Sequence, residues 1–186
     1  MGIISALTLL LFTVIVNDAA GDVPEWCADI RSFEGVLTVD GFYFRMDIEN
    51  FTHQPSNPYH SIILFLDTDN DGSTGWNNTG YAFEDEISLP GSDLMMKIEC
   101  GNPSLCHCYR LFAGGENEFW EDIPVNVENH GETIRLATNL GPISTSRIRI
   151  CIFILEDGNF FDKLPESGNI VIPRNSLIFK KIRDMR

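Results

Sequence analysis

Basic side chains are scarce in this 186-residue chain. Lys and Arg number 13 against 27 Asp and Glu, a net charge of −14 at pH 7. A duplex nucleic acid is excluded as a partner on that balance, because phosphate binding draws on Lys and Arg. Histidine is also rare, with four scattered copies at His53, His60, His107 and His130. No Ser/His/Asp signature, phosphate-binding glycine loop or H-E-x-x-H motif occurs, which removes the commonest hydrolase and nucleotide-binding classes. Helical periodicity is missing as well. No window carries an apolar stripe at three- and four-residue spacing. Glycine (15) and proline (9) are too few for a collagen-like or low-complexity chain, and 44% hydrophobic residues suffice for one packed core.

One long apolar run exists, Ile3–Val16, interrupted only by Ser5, Thr8 and Thr13. It is short for a membrane span and suits the core of a secretory signal. Ala19 and Gly21 are small residues placed for a cut that leaves Asp22 as the mature start. No Lys or Arg precedes the run, so the positive end is the α-amino group alone. The expected organisation is a signal segment over 1–21, with a retained N-terminal anchor or a buried segment as the alternatives, one domain over 22–173, and a basic tail or last strand over 174–186. That last stretch, RNSLIFKKIRDMR, holds five of the 13 basic residues and one acid. It is suited to docking on an acidic neighbour, including a second copy of the chain. The expected location is extracellular or at the cell surface, with no membrane partner once the signal is removed.

Export favours oxidised cysteines. Cys100 and Cys106 flank the turn-like GNPSL, so a local bridge from Cys100 to Cys106 or Cys108 is expected. Cys27 and Cys151 are candidates for a long-range pair. The fifth cysteine leaves one thiol over. Cys100, Cys106, His107 and Cys108 also resemble a soft-metal cluster, although their spacing is not a standard zinc pattern.

What the chain has in abundance is period-two alternation. Phe42, Phe44, Met46 and Ile48 alternate with Tyr43, Arg45, Asp47 and Glu49. Ile134, Leu136 and Thr138 alternate likewise, as do Ile148, Ile150, Ile152 and Ile154. His60–Leu66 is continuously apolar, as a strand covered on both faces should be. Further strands are expected near 83–89, 94–100, 106–112, 118–127 and 169–172. Turn signals separate these runs at short intervals, which predicts an all-β, antiparallel, jelly-roll-like β-sandwich of about 9–11 strands.

The most informative loop is Asp67-Thr68-Asp69-Asn70-Asp71-Gly72-Ser73-Thr74-Gly75. Ca²⁺ takes six to eight oxygens. Asp67, Asp69 and Asp71, with a main-chain carbonyl near Ser73, are the expected donors. Asp85, in the acidic run Glu84-Asp85-Glu86, is expected to complete the shell from a neighbouring strand. The loop is not an EF-hand, because Asn78 stands where a bidentate Glu is needed. Trp76, Tyr81 and Trp120 are the aromatic candidates for stacking on sugar rings.

LFLDTDNDGSTGW followed by an acidic strand and FFDKLPESGNIVIP resembles secreted β-sandwich domains of the family 9 carbohydrate-binding-module-like and DOMON-like group. The matching positions are Asp67, Asp69, Thr74 and Gly75, then Asp85, then Asp162, Pro165 and Gly168. The middle motif departs, since Phe83-Glu84-Asp85-Glu86 lacks the expected glycine and tyrosine. The resemblance implies a sandwich with a structural calcium and a polysaccharide or cell-surface glycan as ligand. A self-assembling structural or adhesive subunit is the alternative. A jelly-roll glycosidase fits less well. Its E-x-D-x-E arrangement places three acids on one strand face, whereas Glu84, Asp85 and Glu86 are contiguous.

Overall fold

The computed structural model describes residues 14–18, 23, 27–38, 41–51, 61–76, 89–99, 102–113, 116–128, 133–138, 145–156, 159–165 and 168–174. Among these there is no helix. Eleven strands form, β1 (Val14–Asn17), β2 (Asp29–Leu37), β3 (Phe42–Glu49), β4 (Ser61–Asp67), β5 (Leu94–Glu99), β6 (Asn102–Leu111), β7 (Asn117–Glu128), β8 (Thr133–Thr138), β9 (Arg147–Glu156), β10 (Asn159–Leu164) and β11 (Ile170–Pro173). Every strand pairing is antiparallel.

One layer runs β1-β2-β3-β8-β7 and the other β7-β6-β5-β4-β9, with β10 and β11 both pairing β9. The twelve-residue β7 joins the layers. Its first half pairs β6 and its second half β8. On the far side β11 packs against β2 and Leu37 bridges Arg174, so the sheet nearly closes on itself. Closure of this kind protects backbone edges that would otherwise pair with other chains.

Side-chain alternation explains the core. Phe42, Phe44, Met46 and Ile48 on β3 face Ile134 and Leu136 on β8, and all are buried between the layers. Ile148, Ile150, Ile152 and Ile154 of β9 join them. β4 is buried at all seven positions. Ile62, Leu64 and Leu66 enter the inter-layer core. Ile63 and Phe65 enter a second cluster on the other face of that layer, with Met95, Cys151 and Phe153. Burying one such side chain contributes about 1.5–3 kcal/mol, which makes β4 the strand least tolerant of a polar substitution. The β2–β3 hairpin is closed by Thr38, whose amide donates to the Gly41 carbonyl at 2.9 Å.

The expected all-β antiparallel architecture is present, and three details differ. β10 forms where no clean alternation was visible, because a register shift between Phe160 and Asp162 breaks its period. β1 lies inside the 1–21 segment read as an export signal. Val14 and Val16 pack on the core while Ile15 is 61% exposed. The expected Cys27–Cys151 bridge is not formed. Cys151 is a buried thiol in the second cluster, and burial pushes its pKa up to about 11. Cys106 and Cys108 share the inner face of β6 as thiols, their sulfurs 4.0 Å apart. His107 alternates to the other face and lies 2.7 Å from Asp122, so it does not join them around one metal. Cys100 and all but the last residue of the strand expected near 83–89 lie outside the described residues.

Candidate metal centre and adjoining cavity

The acidic loop leaves the end of β4 directly. Asp67, the last residue of that strand, has no exposed surface. It faces Arg149 across the β4–β9 pairing. The guanidinium donates to Asp67 through Nε at 2.6 Å and through Nη2, and Nη2 also donates to the Pro90 carbonyl at 2.8 Å. The loop then turns back on its own backbone. Asn70 donates its amide to Asp67 at 2.6 Å and adopts a φ of 57°. Asp69 accepts from the Asp71 amide at 2.8 Å and from the Thr74 hydroxyl at 2.8 Å.

A second turn completes the site. Ser92 pairs with Trp76 through two backbone bonds, and the Asp93 amide donates to the Leu66 carbonyl at 2.8 Å. This pairing places Asp93 beside the loop. Its carboxylate accepts from the Thr68 amide at 2.9 Å and hydroxyl at 3.0 Å. Two glycines permit the approach. Gly75 and Gly91 have φ of 60° and 86°, and a Cβ on either would lie 2.4 Å from a backbone oxygen of the opposing turn. No other residue type fits either position without moving the backbone.

The outcome is a triad of Asp67, Asp69 and Asp93, with one carboxylate oxygen from each within 4.8 Å of the others. An ion with oxygen ligands at about 2.3–2.6 Å holds opposite donors roughly 5 Å apart, so the three oxygens are close enough for one cation to span. All three donors are hard oxygens, the type calcium takes. Burial pushes the Asp67 carboxyl above its ordinary range, more than Arg149 pulls it down. Burial likewise raises Asp93, with the Asp69 charge adding to the effect. Three carboxylates beside one guanidinium leave two uncompensated negative charges, which a divalent cation balances.

One expected carboxylate donor, Asp71, is not in the triad. Asp71 is exposed, and its carboxylate accepts from the Ser73 hydroxyl at 2.6 Å and amide at 2.9 Å, which holds it below its ordinary range. These bonds use the Ser73 amide and hydroxyl and do not involve its main-chain carbonyl, the group expected as a donor. Asp85 and Tyr81 lie outside the described residues. Asp93 and Arg149 escaped the sequence reading. The signal for Asp93 was Pro90-Gly91-Ser92-Asp93, a turn whose exit begins the strand paired with β4.

A cavity of about 490 Å³ opens beside the triad. Thr68, Asp69, Asp93, Arg110, Phe112 and Trp120 are among its walls. Trp120 sits at a bulge in β7. Cys108 pairs with Glu121 and Tyr109 with Phe119, so Trp120 has no opposite residue. Bulges re-aim side chains in this way. Its indole lies 5.2 Å beneath the Arg110 guanidinium. Trp76 is elsewhere, half-buried and packed edge-on against Phe65 in the second cluster.

The motif positions have visible tasks. Thr74 holds Asp69, and Gly75 admits the Ser92 backbone. Asp162 is buried and accepts from the Ile30 amide at 2.6 Å, tying β10 to β2. Gly168 has a φ of 77°, and the Leu164–Pro165 bond is cis. No family model, curated protein or solved structure matches the chain.

Proposed function

We propose that this chain is a secreted, calcium-stabilised, non-catalytic β-sandwich module that recognises carbohydrate. The single observation that carries the reading is the charge set of Asp67, Asp69 and Asp93 opposite Arg149, spaced for one divalent ion. The ion staples the end of β4 to the turn that starts β5. Asp67, Asp69 and Asp93 hold it, and Arg149 offsets part of their charge. The aromatic-walled cavity supports the recognition role, since saccharide sites combine ring faces with a few placed polar groups. The family 9-like and DOMON-like motifs support the same assignment, with Thr74 and Gly75 shaping the loop.

Thermal melting of the purified protein in calcium and in EDTA tests the reading. Calcium at about a hundred times Kd should add roughly 2.7 kcal/mol, a rise of roughly 5–10 °C for a domain of this size. Asp69→Ala should erase the difference. Identical melts of the unsubstituted chain in both conditions overturn the proposal.

A further inference from the structure

We propose that the cavity beside the triad binds a carboxylate-bearing sugar, a uronate unit of an acidic polysaccharide, through Arg110. The inference rests on the calcium reading above and adds the ligand class. Bases are few in this chain, and the structure spends most of those it describes on ion pairs. Arg31, Arg45, Lys97, Arg135 and Arg149 all face carboxylates. Arg110 does not. Among the described residues it has no ion-pair partner, although Glu118 stands opposite it across β6 and β7. Its guanidinium is instead laid over Trp120. Arg110 is exposed, and a guanidinium with no carboxylate of its own can receive one through two parallel N–H bonds.

The bulge strengthens the argument. It displaces Trp120 from the pairing register and puts the indole under the guanidinium. The rest of the wall suits a sugar better than a peptide or a simple acid. Phe112 is 43% exposed and offers a ring face. Thr68, Asp69 and Asp93 offer oxygens to hydroxyl groups. The volume falls within the range of about 300–1,000 Å³ usual for small-ligand sites. Asp69 and Asp93 alone would repel an anion, so uronate binding requires the cation that neutralises them.

Calorimetric titration of the full chain at fixed free calcium tests the proposal. The probe is trigalacturonate, and the control is its methyl ester, which has the same rings without charge. The acid should bind at least tenfold more tightly than the ester. Arg110→Gln should bring the acid down to the ester, with Arg110→Lys falling between, while the calcium-induced rise in melting temperature is kept in both variants. Equal binding of acid and ester overturns the proposal, as does no binding of either. Triglutamate binding as tightly as trigalacturonate also overturns it, since the site then reads charge and not sugar. If calcium raises the melt and no uronate binds, only this inference fails. If calcium has no effect, the calcium reading fails with it.

Discussion

Among the described residues, two clusters of three aspartates form, and their surroundings differ. Asp67, Asp69 and Asp93 gather where β4 ends and β5 begins. Asp18, Asp29 and Asp162 gather where β1, β2 and β10 meet, also within 4.8 Å of one another. Acids of both clusters accept bonds from protein groups, and in the second cluster these bonds tie strands together. Asp162 accepts the amides of Ile30 and Lys163 at 2.6 and 2.7 Å, and Asp29 lies 3.3 Å from Arg31. In the first, Asp69 and Asp93 line a cavity, and the three carboxylates converge from the end of β4 and a second turn. Equal formal charge is therefore gathered between strands in one place and at a loop beside a cavity in the other. Cleavage ahead of Asp22 would also remove Asp18 and β1, leaving the clamp with Asp29 and Asp162, while the first cluster keeps every member.

Neutralising one acid in each cluster sharpens the comparison most. Asp93→Asn should remove the calcium increment, about 2.7 kcal/mol at a hundredfold excess over Kd. In EDTA the same substitution should leave the protein as stable or more so, because a repelling charge is gone. Paired melts show this as a change of sign. Asp162→Ala should cost about 1–3 kcal/mol, the penalty for stranding the buried Ile30 amide, equally in calcium and EDTA. Urea titrations in both conditions measure it. A calcium-dependent cost at Asp162 would collapse the distinction between the clusters.

Proton linkage gives a subtler contrast. Asp67 and Asp93 have folded pKa values raised above the ordinary 3.8. A raised acid binds more protons in the folded state, so its contribution falls as pH climbs from about 3.8 through the raised value. Metal-free protein should lose stability over that window. The calcium increment should grow over the same window, because the ion binds the ionised form. Melts at successive pH values in EDTA and in calcium read both trends. The smallest effect belongs to Asp71. Its exposed carboxylate bonds only within its loop, so Asp71→Ala should shift the melt slightly and leave the calcium increment intact.

Much of the fold was legible because strand burial writes itself as alternation. Phe42 to Ile48 and Ile148 to Ile154 each show one apolar face, and each faces the core. His60–Leu66 lacks alternation because β4 is covered on both sides. β10 was hidden by its register shift, and β1 by an apolar run that also suits an export signal. At the site, Asp67 and Asp69 were recognisable from local spacing. Asp71 shares that spacing but bonds to Ser73, two residues on, and a repeat along the chain cannot reveal which way a loop side chain turns.

The sequence by itself determined the period-two elements, the acid excess and the D-x-D loop, because each depends on neighbours along the chain. Only the tertiary structure decided that Asp93, 24 residues beyond Asp69, meets it, and that Arg149 stands opposite Asp67. The same holds for Arg110, which lies over Trp120 at the bulge and has no ion-pair partner among the described residues. Register between strands sets these meetings. It is fixed by the summed burial of whole faces, which no short stretch of residues contains.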